Sequence, residues 1–119
     1  MRGQTSVESA LVSGGAHLAS FNGTDTVAAI DFVERYYGAK AEFEMIGGSV
    51  PATEHSVMCL GGEDTEIDTY RRLMNETFKT GILSIVSDTW DYFKLITEGL
   101  VELKQDIMNR DGKVVIELS

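Results

Sequence analysis

The sequence holds one cysteine, one proline, one tryptophan and two histidines in 119 residues. With Cys59 alone, an intramolecular disulfide is impossible and a cysteine-built zinc site lacks ligands, and no metal ligand set stands out elsewhere. Basic residues are few: 10 Lys and Arg against 19 Asp and Glu give a formal net charge of -9. That argues against non-specific nucleic-acid binding, which relies on cations to neutralise phosphates, and it disfavours a segment that holds a polyanion unaided. No apolar run is long enough to cross a membrane, and no basic stretch followed by an apolar core marks a secretory signal. These absences fit a cytoplasmic protein. There is no internal repeat or low-complexity tract. The length allows at most one domain with a modest core, and a 43% apolar share is ordinary for such a chain.

What is present reads as alternating helix and strand. Thr5-Ser6-Val7-Glu8 has the form of a capping box, with Val7, Ala10, Leu11 and Leu18 on one face of a helix that Gly14 and Gly15 weaken. His17 near its end suits packing or end-capping. Ala19-Ser20-Phe21 is a candidate short strand, and Gly23 permits a turn after which Thr24 or Asp25 can cap a second helix. In that helix Ala29, Phe32, Val33 and Tyr36 form one stripe, and Gly38 stops it. Residues 39–53 read as a connecting loop.

After Asp64, Ile67, Tyr70, Met74 and Phe78 recur every three or four residues as the buried side of an amphipathic helix, its charged residues forming a solvated face. Gly81 releases the chain into Ile82-Leu83-Ser84-Ile85-Val86, a strand-length apolar run. Asp88 is placed to cap a helix carrying Phe93, Ile96, Leu100, Leu103 and Ile107. Gly112 marks a turn, and Val114-Val115-Ile116 begins a last strand. Strand, crossover helix and strand make a βαβ unit, expected to be parallel and right-handed.

The chemistry-bearing candidates gather at strand ends, where ligands sit in parallel α/β folds. Ser87 and Asp88 follow the strand at 82–86, and Thr24 and Asp25 would follow the one at 19–21. His55 lies in the segment Ser49-Val50-Pro51-Ala52-Thr53-Glu54-His55-Ser56, where Pro51 fixes the backbone ahead of it. Histidine is the residue type whose ordinary pKa lies nearest neutral pH, so a His held here suits proton or phosphoryl chemistry; a solvated surface histidine is the plainer alternative. For Asp25 the plainer alternative is a helix cap. Glu54 can orient the His55 ring or face water.

Several blocks in one order resemble the nicotinamide phosphoribosyltransferase family: Ala16-His17-Leu18, Gly23-Thr24-Asp25-Thr26-Val27-Ala28, Tyr36-Tyr37-Gly38, Ser49-Val50-Pro51-Ala52, Glu54-His55-Ser56, and Val86-Ser87-Asp88 with Asp91. The resemblance runs from Arg2-Gly3 to about Ile116. It implies an α/β fold, a partial (β/α) barrel of phosphoribosyltransferase type with a C-terminal βαβ unit, residues 1–119 forming one segment of its central part. It implies transfer of 5-phosphoribosyl from 5-phosphoribosyl-1-pyrophosphate to nicotinamide in a homodimer with shared active sites. Magnesium and ATP are implied as cofactors, although none is evident from this segment alone. His55 matches a histidine phosphorylated when ATP hydrolysis is coupled to the transfer. Asp25 matches an acid near the nicotinamide amide, Ser84 and Asp88 match residues of the base tunnel, Ser49 a polar residue of that pocket, and Arg2 an arginine beside base and phosphate.

Charge logic favours the amide over the acid as substrate. A carboxylate at Asp25 accepts a hydrogen bond from the amide of nicotinamide and repels the carboxylate of nicotinic acid. The family's aromatic residue before Arg2 and its Arg-Pro-Asp-Ser-Gly motif downstream are missing: Met1 precedes Arg2, and the last strand runs into Glu117-Leu118-Ser119. The expectation is an interior piece of the enzyme, inactive alone. The alternatives are a non-catalytic remnant or interaction module, and nicotinate phosphoribosyltransferase.

Overall fold

The computed structural model describes residues 3–118, which form two compact units, Met1–Ser49 and Val50–Ser119. Arg2 therefore lies outside the described residues.

The first unit is a helical pair. α1 (Val7–Leu18) starts at Ser6, whose side chain accepts from the Ser9 N–H at 3.1 Å while Ser9 Oγ accepts from the Ser6 N–H at 3.3 Å. The expected Thr5–Glu8 box is thus replaced by a Ser6–Ser9 box one residue later, because Ser6 is the residue with extended backbone (φ -155°). Gly14 and Gly15 do not break α1. They are where α2 (Ala29–Tyr37) packs: a Cβ on Gly14 would lie 2.8 Å from Ala29 Cβ, and one on Gly15 would lie 2.5 Å from Phe32 Cδ1. The propensity lost in the helix is returned as close helix–helix approach. Ala29 is buried, while Tyr36 at the outer end of the expected stripe is exposed and rests its ring on Phe32, centroids 4.7 Å apart. Gly38 ends α2 in the left-handed region as anticipated.

Between the helices two expectations fail. Residues 19–21 are not a strand: the His17 carbonyl accepts the N–H groups of both Ser20 and Phe21, which curls the chain into a turn, and His17 stacks on Phe21. Neither Thr24 nor Asp25 caps α2, whose N-cap is Ala28 without a side-chain bond; Thr24 Oγ1 instead accepts from the Thr26 N–H. A single parallel bridge joins Gly23 to Gly48.

The second unit is mixed α/β. It runs α3 (His55–Cys59), α4 (Glu66–Arg72) extended by a π turn (Leu73–Thr77), β1 (Thr80–Val86), α5 (Tyr92–Lys94) with a π turn (Leu95–Gly99), α6 (Leu100–Glu102), α7 (Lys104–Asn109) and β2 (Asp111–Glu117). β1 and β2 pair in parallel from Thr80↔Asp111 to Val86↔Glu117, the predicted βαβ unit. β2 begins earlier than expected, so Gly112 is a rung of the ladder and not a turn. Leu83 to Val86 are all buried, as in a parallel strand covered on both faces.

The core is built from Met58, Tyr70, Leu73, Met74, Leu83, Ile85, Leu95 and Leu103. Tyr70 and Met74 pack there as their periodicity predicted. In the crossover the inward line is Leu95, Gly99, Leu103 and Ile107, and Phe93 points outward. The π turn shifts the helical phase, which strict 3.6-residue counting misplaced. Arg110 fastens the start of the sheet to the end of the preceding helix, donating to the carbonyls of Met74, Phe78, Thr80 and Gly81.

Candidate functional site

The segment after Val50 is more than a loop. The Ser84 N–H donates to the Pro51 carbonyl at 2.9 Å, the Thr53 N–H donates to the Ser84 carbonyl at 3.0 Å, and the Val86 N–H donates to Thr53 Oγ1 at 3.0 Å. Pro51–Thr53 thus lies alongside β1 in parallel, bridged at Ala52↔Ser84. Proline fits here because it supplies only its carbonyl to the ladder. Parallel alignment carries the next residues to the same end of the sheet, so His55, first residue of α3, emerges beside the exit of β1.

There His55 Nε2 lies 3.0 Å from Asp88 Oδ1, the two side chains 40% and 26% exposed. Asp88 was expected to cap the following helix; that cap is Asp91, whose Oδ1 accepts from the Lys94 N–H. An ionised carboxylate only accepts, so the Asp88 contact requires the proton on Nε2 and leaves the lone pair of the neutral imidazole on Nδ1. Glu54 does not simply face water: its Oε1 accepts from Ser56 Oγ at 2.6 Å.

The exit of β1 is anchored from beneath. Tyr70 is fully buried and donates its phenolic O–H to Ser87 Oγ at 2.9 Å; Ser87 Oγ in turn donates to the Ile85 carbonyl. The Ser87 N–H continues the ladder to the Glu117 carbonyl. Ser84, 6% exposed, donates its hydroxyl to Glu117 Oε2 at 2.7 Å. Ser87 is at the strand end where the sequence puts it, whereas Thr53, Tyr70 and Glu117 enter the site only in the structure. Thr53 stands two residues before His55 in a segment already singled out, whereas Tyr70 is one among many core aromatics in pattern.

Burial pushes the Tyr70 phenol up to about 12; nearby Glu66 and Asp88 add to this and the Ser87 hydrogen bond opposes it. The unfolded chain releases this proton near its ordinary value of 10 while the folded protein keeps it, so stability falls between those two values as pH rises. At about pH 11 the loss attributable to Tyr70 is ~1.4 kcal/mol. Urea unfolding at about pH 9 and pH 11 should show it in the wild type and not in Tyr70→Phe; identical pH slopes in the two would refute it.

The other sequence candidates belong to the first unit. Thr24 donates its N–H to the Gly48 carbonyl at 2.9 Å, and Gly48 donates its own to Asn22 at 2.8 Å. Asp25 stands two residues after Gly23 and Ser49 one after Gly48, and both are exposed. The structure therefore pairs His55 with Asp88, places Ser84 on β1, the strand that leads to Asp88, and leaves Asp25 and Ser49 as exposed residues of the first unit. Among the described residues no three His, Cys, Asp or Glu side chains are arranged to hold a metal ion. No helix among them is long and apolar enough to cross a membrane.

A profile of the nicotinate phosphoribosyltransferase (NAPRTase) family matches residues 1–118. A nicotinamide phosphoribosyltransferase of Acinetobacter baylyi is 54% identical over 109 residues, covering 92% of this chain and 21% of that protein. Proteins of the same name from Xanthomonas campestris pv. campestris and Mycoplasma pneumoniae are each 35% identical, over 117 and 116 residues. They are covered to 24% and 22% of their lengths, so the chain spans between a fifth and a quarter of the relatives it matches.

Proposed function

The chain belongs to the nicotinate phosphoribosyltransferase family, and on that premise we propose that it forms part of a nicotinamide phosphoribosyltransferase with a barrel-type catalytic domain. The reaction joins nicotinamide to 5-phosphoribosyl-1-pyrophosphate: the ring nitrogen bonds to C1′ of the ribose as the bond from C1′ to pyrophosphate breaks. The observation that carries the reading is the His55–Asp88 pair, 3.0 Å apart at the carboxyl edge of a parallel sheet.

In this reading His55 is the phosphoryl acceptor. Asp88 holds the proton on Nε2 and turns Nδ1 outward as nucleophile; the bond from the γ-phosphorus of ATP to its bridging oxygen breaks, a P–N bond forms, and ADP leaves. Asp88 then balances the charge gathered on the ring. Asp25 accepts from the amide N–H of nicotinamide, with Ser49 and Ser84 as polar neighbours of the base and Arg2 beside base and phosphate. ATP acts as a substrate. Magnesium, implied by the family resemblance, would screen the charge of the leaving pyrophosphate. A cytoplasmic homodimer with sites shared between subunits completes the proposal.

Calorimetry of the completed enzyme with nicotinamide and with nicotinic acid tests the choice of base. Nicotinamide is expected to bind at least tenfold tighter, and Asp25→Asn is expected to shrink that preference, because an amide no longer repels the acid. Equal or tighter binding of nicotinic acid would reassign the chain to the sister reaction.

A further inference from the structure

We propose that a second, separate cleft in Val50–Ser119 binds a small organic cation, an alkylammonium or guanidinium group. The cleft lies between α4 and the crossover helices and has a volume of about 300 Å³, at the small end of ligand sites. Six carboxylates line it: Glu63, Asp64, Glu66, Asp91, Glu98 and Glu102, against the single ammonium of Lys94. Two of the six are already engaged, Asp91 as the cap of α5 and Glu102 with Arg71 at 2.9 Å. Four remain facing one lysine.

Acidity alone would mean only a solvated face, as the sequence suggested for the helix after Asp64. Glu66 departs from that. It is 8% exposed, it lines the cleft, and its Oε1 is fully buried with no hydrogen-bond partner. A carboxylate buried this deeply without a donor is costly, and the charge of a cation seated against it in the cleft would offset that cost. Its carboxyl is held above the usual range, first by burial and then by Glu63, with Lys94 opposing. The remaining lining selects the kind of cation. Ile67 and Leu95 offer apolar wall for a short alkyl stem, and Trp90, 38% exposed, offers an indole face to a cation. Since no three carboxylates are arranged around a metal ion among the described residues, an organic cation fits better than a divalent metal.

The chain's only tryptophan lines the cleft, so its fluorescence reports binding without reference to the reaction proposed above. Titration with agmatine and with n-butylammonium at constant ionic strength should give saturable, single-site curves by fluorescence and calorimetry. Glu66→Gln should weaken binding at least tenfold, and Glu98→Gln, a surface change that spares folding, about threefold. A capped arginine tripeptide distinguishes sources: binding over tenfold tighter than agmatine assigns the site to a polypeptide side chain, and equal or weaker binding to a free small cation. A linear response, an equal response to magnesium chloride, or affinity unchanged in both variants would overturn the proposal.

Discussion

In the complete enzyme, replacing His55 by alanine is expected to abolish incorporation of the γ-phosphoryl of ATP, and Asp88→Asn to reduce it on the order of 10²-fold. The first variant removes the imidazole that stands at the exit of β1. The second keeps the shape but takes away the charge that fixes the tautomer and stabilises the ring as it becomes positive, a contribution in the range of positioned acid–base groups. Asn can also present its N–H₂ to Nε2, which favours the wrong tautomer and turns the reactive lone pair inward. Labelled ATP with acid quenching separates the acid-labile phosphohistidine from hydroxyl esters. Asp91→Asn serves as the control, because Asp91 caps α5 by accepting from Lys94 whereas the His55 imidazole pairs with Asp88; incorporation should be unchanged. Wild-type incorporation in Asp88→Asn would reduce the pair to a surface ion pair of the kind that contributes little.

The largest effect on folding is expected at Gly112. Its φ is +136°, and a Cβ placed there would lie 2.0 Å from the Gly81 carbonyl oxygen and 2.7 Å from Gly81 N and C. These are backbone atoms of the facing strand, so no rotamer change relieves the overlap. Gly112→Ala should therefore cost about 3 kcal/mol, combining a disfavoured backbone region with overpacking. The urea midpoint should fall with an unchanged slope. Gly23→Ala, where an added Cβ meets nothing within 4 Å, should stay within about 0.5 kcal/mol. A loss at Gly112 no greater than that at Gly23 would show that the first rungs of the β1–β2 ladder are not formed. Strand pairing sets where β1 ends, so the same variant should also lower phosphoryl incorporation.

The two units differ in how far pattern alone reaches. In Val50–Ser119 the apolar run at 82–86, the helix bearing Tyr70 and Met74, and the closing strand at 114–116 are all where periodicity puts them. Burial of one face writes itself into local spacing. The phase of the crossover helix was misread because a π turn at Leu95–Gly99 adds a residue to the turn, and spacing rules assume none. The burial of Glu66 was also hidden, since a glutamate on a charged helix carries the same local signal whether it meets water or a cleft. In Met1–Ser49 the caps slid: Ser6 took the role given to Thr5, and Ala28 that given to Thr24 or Asp25. Several polar residues in a row can each cap a helix, and only the backbone angles choose among them.

By itself the sequence determined the chemistry available: an acidic chain with one thiol, a histidine behind a proline, and acids placed after glycine turns and apolar runs. It also determined the βαβ order, because hydrophobic periodicity is local. Only the tertiary structure decided that Asp88 meets His55 and does not cap a helix. Residues 33 positions apart are joined by the parallel register of Pro51–Thr53 against β1, and that register depends on hydrogen bonds between distant backbone groups, which no local pattern encodes. The same holds for Tyr70 beneath Ser87 and for the clefted carboxylate of Glu66, whose surroundings come from other elements of the fold.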